Sequence, residues 1–360
     1  MKKRLVVLSL LPLILAVNGC NQGSQKQYFK NWNDCDALTA LKAYVQDVTN
    51  KNSKNYIPVE DRIATFDMDG TFVAELYPTY FEYNMLEYRA LEDPNYKDKA
   101  PADVVEAAQM IRANVREGTK LPDDFALVHA HAAAKAYSGM TVKEFDEYTK
   151  MYGAMSANGF ENMTYGDAFY QPMLDVFDYL KDNNFDFYVV SGSDRLLCRA
   201  LVDSIGIASN KVIGMDVVLK SSDQGDADGV DYTMKPTESI LRTDELIIKN
   251  LKTNKVKQIT QEIGKTPVLS FGNSGGDSAM HNYCLGNQKY KNNTKAFMLI
   301  ADDDDRDHAK KLNETDEKFK ERIDGLYNSW TTAGYQTISM KNDFKTIYKE
   351  GVKKVDFHYN

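Results

Sequence analysis

The chain has 360 residues, 43% hydrophobic and 27% charged, and its 52 acidic against 44 basic residues give a net charge of −8. That length fits one large domain, or a core with a smaller lobe. Outside the N-terminus no basic run is able to neutralise a phosphate backbone, which excludes nucleic acid as the main partner.

Lys2, Lys3 and Arg4 precede an apolar run over 5–17 that only Ser9 and Pro12 interrupt. The run is too short to span a bilayer and has the layout of a signal peptide. It ends in Val17-Asn18-Gly19-Cys20, which resembles the lipobox at which bacterial lipoproteins are cleaved and lipidated. Residues 1–19 are therefore expected to be a lipoprotein signal peptide and Cys20 the lipidation site. The mature protein would be held in the bacterial cell envelope, with a membrane as partner through acyl chains on Cys20. Residues 20–58 read as a polar tether followed by a helical segment. Cys35, Cys198 and Cys284 lack metal-ligand spacing and fix no disulfide connectivity; Cys198 and Cys284 read as small buried side chains.

The apolar run Arg62-Ile63-Ala64-Thr65-Phe66 reads as a strand, and Asp67-Met68-Asp69-Gly70-Thr71 follows it. Two carboxylates so close repel each other and favour a divalent cation beside them. The same spacing lets one act as nucleophile while the other handles a proton. Residues 76–167 then read as helical. Helices are expected over 102–117 and 123–137, and Thr141-Val142-Lys143-Glu144 is a capping box ahead of Phe145, Tyr148 and Tyr152. His129 and His131 stand two apart, so they point to different sides of a helix and make a poor metal pair.

Three more strand signals follow. Asp186-Phe187-Tyr188-Val189-Val190 leads into Ser191-Gly192-Ser193-Asp194, then into a helix carrying Leu197, Leu201 and Ile205 and ending at Gly206. Pro267-Val268-Leu269-Ser270-Phe271 leads into Gly272-Asn273-Ser274-Gly275-Gly276-Asp277. Ala296-Phe297-Met298-Leu299-Ile300 precedes Asp302 to Asp305, which read as a solvated acidic loop. Strands alternating with helices imply a parallel sheet, whose carboxyl ends fall on one edge. Such a fold brings Asp67, Ser191 and Asn273 to the same rim. Phosphoryl transfer needs a nucleophile in line with the leaving group, a proton for that group and positive charge around the phosphate. Asp67 is the candidate nucleophile and Asp69 the candidate acid and base; Ser191 and the Gly192 amide are placed at a phosphate oxygen.

With these motifs in this order, the chain resembles the haloacid dehalogenase (HAD) superfamily, most of whose members are magnesium-dependent phosphatases. The resemblance covers roughly residues 59–75 and 168–350. It implies an α/β core with a doubly wound parallel sheet (59–75 and 168–360) and a helical cap inserted at 76–167 over the substrate. It implies Mg²⁺ held by Asp67, Asp69, Asn273 and Asp277, and it places Gly70 and Thr71 of the first motif at the phosphate. The phosphoserine phosphatase branch opens the helix before the last catalytic strand with a lysine; in a helix over 256–263, Lys255 fits best, ahead of Lys257 and Lys252. Asn273 departs from the superfamily, which has aspartate there, so one charge is missing from the metal site. The cap also resembles that of exported phosphorylcholine phosphatases, which would make Tyr80, Phe81 and Tyr83 an aromatic box for a quaternary ammonium group. The resulting expectation is a Mg²⁺-dependent phosphomonoesterase for a small phosphorylated metabolite. The competing one is a lipoprotein that binds a ligand on this fold without turnover.

Overall fold

Ile63, Ala64, Thr65 and Phe66 are all buried, as a strand covered on both faces must be. They form β1 (Ile63–Phe66), in the middle of the sheet. The computed structural model describes residues 28–359; the expected signal peptide, Cys20 and the polar stretch to Gln27 lie outside the described residues. The further strands are β2 (Phe160–Glu161), β3 (Asp186–Asp194), β4 (Val212–Ser221), β5 (Ile240–Ile248), β6 (Leu269–Gly272), β7 (Lys295–Ile300), β8 (Gln336–Ser339) and β9 (Lys353–Lys354). Seven of them form one sheet in the order β5-β4-β3-β1-β6-β7-β8, parallel throughout except for the antiparallel β4–β5 edge. The α/β doubly wound expectation holds. β2 and β9 pair separately, with Phe160 opposite Lys354.

The chain leaves β1 for β3 on one side and later returns to β6 on the other. The sheet therefore changes winding direction at β1, and such switch points open a crevice at the carboxyl ends of the strands. Register aligns those ends: Phe66 lies opposite Val189 on β3 and Phe271 on β6. Beneath the crevice the aromatic side chains interlock. Phe66 stacks on Phe271 with ring centroids 4.4 Å apart and meets Phe177 at 4.6 Å.

Helix α1 (Asp36–Thr49) precedes the sheet and sends the Tyr44 hydroxyl to the Val268 carbonyl at 2.8 Å. Four α-helices lie between β1 and β2: α2 (Phe81–Leu91), α3 (Ala102–Glu117), α4 (Phe125–Ala136) and α5 (Val142–Gly153). The capping box at Thr141 forms as expected: its hydroxyl accepts the Glu144 amide at 3.0 Å, and Glu144 accepts the Thr141 amide at 2.8 Å. His129 is buried and His131 exposed, so they do not form a metal pair. The remaining helices are α6 (Gln171–Asp182), α7 (Arg195–Val202), α8 (Thr253–Glu262), α9 (Ser278–Leu285), α10 (Asp316–Thr332) and α11 (Met340–Asp343). Among the described residues no helix is long and apolar enough to cross a membrane. Cys35, Cys198 and Cys284 are all unbridged, and the latter two are buried.

Two features depart from the sequence expectation. Asp302 and Asp303 are buried rather than solvated. Asp302 accepts from the Tyr327 hydroxyl at 2.8 Å and the Ser339 hydroxyl at 2.6 Å, while Asp303 caps the turn through the amides of Asp305 and Arg306 at 3.0 Å. Second, the sheet continues past β3 into the antiparallel pair β4–β5, which was not among the expected strands. Strand β5 reaches the inserted helices: the Arg242 amide donates to Met140 O, and the Gly139 amide donates to Arg242 O, both at 2.9 Å. The Arg242 side chain, 1% exposed, pairs with Asp194 at 2.8 Å and lies 3.9 Å over the Phe145 ring.

This pair ties hairpin, helical insertion and catalytic rim together. Removing one partner of a buried ion pair strands the other, at about 3–5 kcal/mol. Arg242→Met is accordingly expected to destabilise the protein by about 3 kcal/mol, read as a lower urea midpoint with an unchanged slope. An unaltered midpoint would show that Asp194 is neutralised from elsewhere.

Candidate active site

Asp67 leaves β1 with its amide still in the sheet, donating to Phe271 O at 2.9 Å. Across the rim, α8 begins three residues earlier than expected and turns Lys255 inward, where it is 1% exposed. Its Nζ lies 2.5 Å from Asp67 Oδ1 and 2.7 Å from Asp277 Oδ1. Of the three candidate lysines, Lys255 is the one brought to the nucleophile. The helix entry is tight, because Lys252 adopts φ +53 and donates its amide to Gly276 O at 3.1 Å.

Asp277 holds its own loop. Its Oδ2 accepts the amides of Asn273 at 3.1 Å and Ser274 at 3.0 Å, and the Ser274 hydroxyl at 3.3 Å. With Oδ1 on Lys255, it is a positioning carboxylate first and has little capacity left for a cation. Asn273 meets a residue that the motifs did not single out: its Nδ2 donates to Glu75 Oε2 at 3.0 Å, and Glu75 Oε1 accepts the Tyr80 hydroxyl at 2.9 Å.

Asp69 Oδ2 accepts the Ser193 hydroxyl at 2.8 Å, while its Oδ1 is buried without a hydrogen-bond partner. Ser193 is thus the serine that meets Asp69. Ser191, the expected phosphate ligand, is fully buried and accepts the Ser193 amide at 3.0 Å, which shapes the turn. Gly192 does line the cavity, and a side chain there would strike Leu251, 2.6 Å from the added carbon. Thr71 donates to Asp67 Oδ2 at 3.3 Å, and Gly70 has φ +76 with no room for a side chain against Asn273 and Glu75. Neither Gly70 nor Thr71 lines the cavity, so both position the first motif rather than meet a ligand.

The cavity of about 260 Å³ is lined by Asp67, Asp69, Gly192, Ser193, Lys255, Asn273 and Asp277 from the core, with Tyr80, Glu82, Tyr83 and Ala126 from the helical insertion. Phe81 is not on its wall; it is fully buried against Tyr152, with centroids 5.4 Å apart. Lys249 and Glu82, also on the wall, have no local sequence signature.

Burial raises the Asp67 carboxyl, with the Asp277 charge adding to it and Lys255 opposing. Burial pushes Asp69 up to about 7; the Ser193 hydrogen bond opposes, and the charges of Glu82 and Glu75 add. Burial would also raise Asp277, yet the Lys255 charge and hydrogen bond hold it below the usual carboxylate range. One ammonium between two carboxylates thus leaves Asp277 ionised and Asp67 with a raised proton affinity.

Among the described residues no three His, Cys, Asp or Glu side chains are arranged to hold a metal by themselves. A magnesium ion asks for less, one or two carboxylates with waters completing the shell. The unpartnered Asp69 oxygen and the raised carboxyls beside it fit such a hard cation, with Asp67 and the Asn273 amide oxygen as the other donors.

No family model matches the chain, and no curated protein does. Solved structures resemble it at low identity. A conserved protein of unknown function from Anaerococcus prevotii DSM 20548 is 16% identical, with a TM-score of 0.49 over 92% of this chain and 100% of that one. A phosphoserine phosphohydrolase-like protein from Francisella tularensis subsp. tularensis SCHU S4 is 13% identical, with a TM-score of 0.38 over 67% and 88%. A HAD family hydrolase from Salmonella enterica subsp. enterica serovar Typhi is 13% identical, with a TM-score of 0.37 over 68% and 63%.

A carboxyl whose folded-state pKa is raised adds stability that is complete below its unfolded pKa of about 4 and is lost as pH climbs through the folded value. For Asp69 that loss centres near pH 7. The buried histidines His129 and His281, lowered by burial, work the other way but only up to about pH 6.5, the unfolded value. Between about pH 7 and 8 the raised carboxyls dominate, because histidines of the unfolded chain are by then mostly neutral as well. Melting temperature without divalent ions should fall across that window, and Mg²⁺ should flatten the decline by favouring the ionised forms. Asp69→Asn should remove part of the slope. A flat metal-free profile in the wild type would contradict the raised carboxyls.

Proposed function

We propose that this protein is a Mg²⁺-dependent phosphomonoesterase that acts on a small phosphorylated metabolite through an aspartyl phosphate. The observation that carries the reading is the joint placement of Asp67, Asp69 and Lys255 in one buried cavity, the first held by the third and the second held by Ser193. Asp67 attacks phosphorus as the bond to the alcohol oxygen breaks, and Asp69 delivers its proton to that oxygen. Asp69, now ionised, takes a proton from the water that attacks the aspartyl phosphate, and inorganic phosphate leaves. Burial and the charges of Glu82 and Glu75 raise the proton affinity of Asp69 in the metal-free site, the property that an acid needs. The Gly192 amide and Lys255 face the phosphoryl oxygens. Asp67, Asp69 and Asn273 would hold Mg²⁺, which offsets charge on the phosphoryl group. The N-terminal sequence supports a lipid anchor on Cys20 in a bacterial envelope, where the substrate would be an extracytoplasmic ester.

The alternative of a binder without turnover rested on Asn273. That residue has another reason to be an amide, since it donates to the half-buried Glu75. The aromatic-box reading keeps Tyr80 and Tyr83, packed edge to face at 5.2 Å, but not Phe81. Lys249 on the same wall would repel a quaternary ammonium.

Hydrolysis of p-nitrophenyl phosphate with and without Mg²⁺ tests the activity. Asp67→Asn removes the nucleophile while lowering charge repulsion, so kcat should drop by several orders of magnitude with the melting temperature preserved. Turnover above about one tenth of wild type would exclude the covalent route.

Asn273→Asp is expected to lower the Mg²⁺ concentration needed for half-maximal activity, because a carboxylate is a stronger ligand. Without metal the same change sets a carboxylate against Glu75, so the metal-free protein should melt earlier than wild type. Superimposable Mg²⁺ titrations of the two proteins would remove Asn273 from the ligand set.

A further inference from the structure

Two charged side chains on the cavity wall have no part in the chemistry above. Lys249 follows the end of β5, and Glu82 lies in the first turn of α2; they are 8% and 2% exposed. Their contact is loose, with Lys249 Nζ 3.4 Å from Glu82 Oε2. A charge-assisted pair closes to about 2.7–2.9 Å when geometry allows. Glu82 is held independently, because its Oε1 accepts the Asp194 amide at 2.9 Å. The lysine makes one hydrogen bond although an ammonium carries three donors.

The charges around the cavity sharpen the point. Four carboxylates (Asp67, Asp69, Glu82 and Asp277) line it against two ammoniums, and one of those, Lys255, is wedged between two carboxylates. Lys249 is the under-committed cation of the wall. Its charge is felt at Asp69, the group that serves the leaving alcohol, whereas Lys255 serves Asp67 at the phosphoryl end.

We propose that Lys249 is a specificity-determining residue that receives a carboxylate on the alcohol half of the substrate, so that the preferred esters are phosphorylated hydroxy acids. The proposal rests on the phosphatase reading and names the substrate class of that site. A carboxylate matches one ammonium in charge. A second phosphate would bring a dianion into a cavity of about 260 Å³ already lined by four carboxylates. A cationic alcohol would face Lys249 with like charge.

The test compares 3-phosphoglycerate with glycerol 3-phosphate, in which a hydroxymethyl group stands where the other has its carboxylate. Wild-type kcat/KM should favour the carboxylate ester. Lys249→Met should cut that preference about tenfold or more, chiefly through KM, as expected for losing a charged hydrogen bond. Lys249→Arg should restore part of it. Glu82→Gln releases the lysine and should keep or raise the preference. If Lys249 only neutralises Glu82, the double variant Lys249→Met/Glu82→Gln will keep the wild-type preference, and the proposal falls. It falls too if wild type shows no preference. Equilibrium binding of both esters to Asp67→Asn, with and without Lys249→Met, separates the two readings. A Lys249-dependent loss of 3-phosphoglycerate binding without any wild-type hydrolysis would sink the phosphatase reading alone. Hydrolysis with no Lys249-dependent difference in binding would sink this one alone.

Discussion

The site is organised by one buried ammonium. Lys255 sits between Asp67 and Asp277, and these three residues come from the end of β1, the start of α8 and the loop before α9. Taking such charges out of water costs several kcal/mol per ion, and only close pairing with further hydrogen bonds offsets it. Each carboxylate has that support: Asp67 from the Thr71 hydroxyl, Asp277 from two loop amides and a hydroxyl. The loop between β6 and α9 is therefore folded around a carboxylate whose other oxygen binds the lysine. Gly272 belongs to the same constraint, since a side chain there would sit 2.6 Å from Asp277 Cβ.

How much of this was legible depends on whether a signal is local. Strands β1, β3, β6 and β7 are apolar runs that end in polar turns, and register then forces their carboxyl ends together, which brought Asp67 and the loop over 272–277 to one rim; Lys255 came only from the resemblance, with Lys257 and Lys252 beside it. Strand β5 was silent because Arg242, Asp244 and Glu245 interrupt it. Arg242 becomes tolerable only once Asp194 and the Phe145 ring are in place, a tertiary fact with no counterpart in the run itself. The acidic run at 302–305 misled for the same reason: Asp302 is buried because Tyr327 and Ser339 arrive from distant elements.

Within the site, the misreadings are about direction rather than identity. Ser191 and Ser193 flank the same glycine, and alternation along a strand gives residues two apart the same face. Only the bend at the strand end separates them, leaving Ser193 toward Asp69 and Ser191 beneath the turn. Phe81 could have been set aside from sequence. On a helix, positions three apart share a face and adjacent positions do not, so Tyr80 and Tyr83 can line a cavity that excludes Phe81. Glu75, Glu82 and Lys249 carry no spacing signal; their roles exist only when the inserted helices lie on the rim.

The asparagine that stands where the resembled superfamily has aspartate is explained by its neighbour. Glu75 is half-buried and its carboxyl is raised, chiefly by desolvation, with hydrogen bonds from Tyr80 and Asn273 opposing. Gly70 at φ +76 lets Asn273 and Glu75 close over the first motif, because any side chain would meet the Asn273 amide. An aspartate at that point would face Glu75 across the same hydrogen bond, and two half-buried carboxylates 3.0 Å apart would repel each other unless a cation lay between them. An amide resolves the conflict by donating to Glu75 from one end and offering a neutral oxygen at the other. Gly70, Glu75 and Asn273 thus act as one unit, in which a neutral amide oxygen is the consequence of holding a carboxylate beside Asp67 and Asp69.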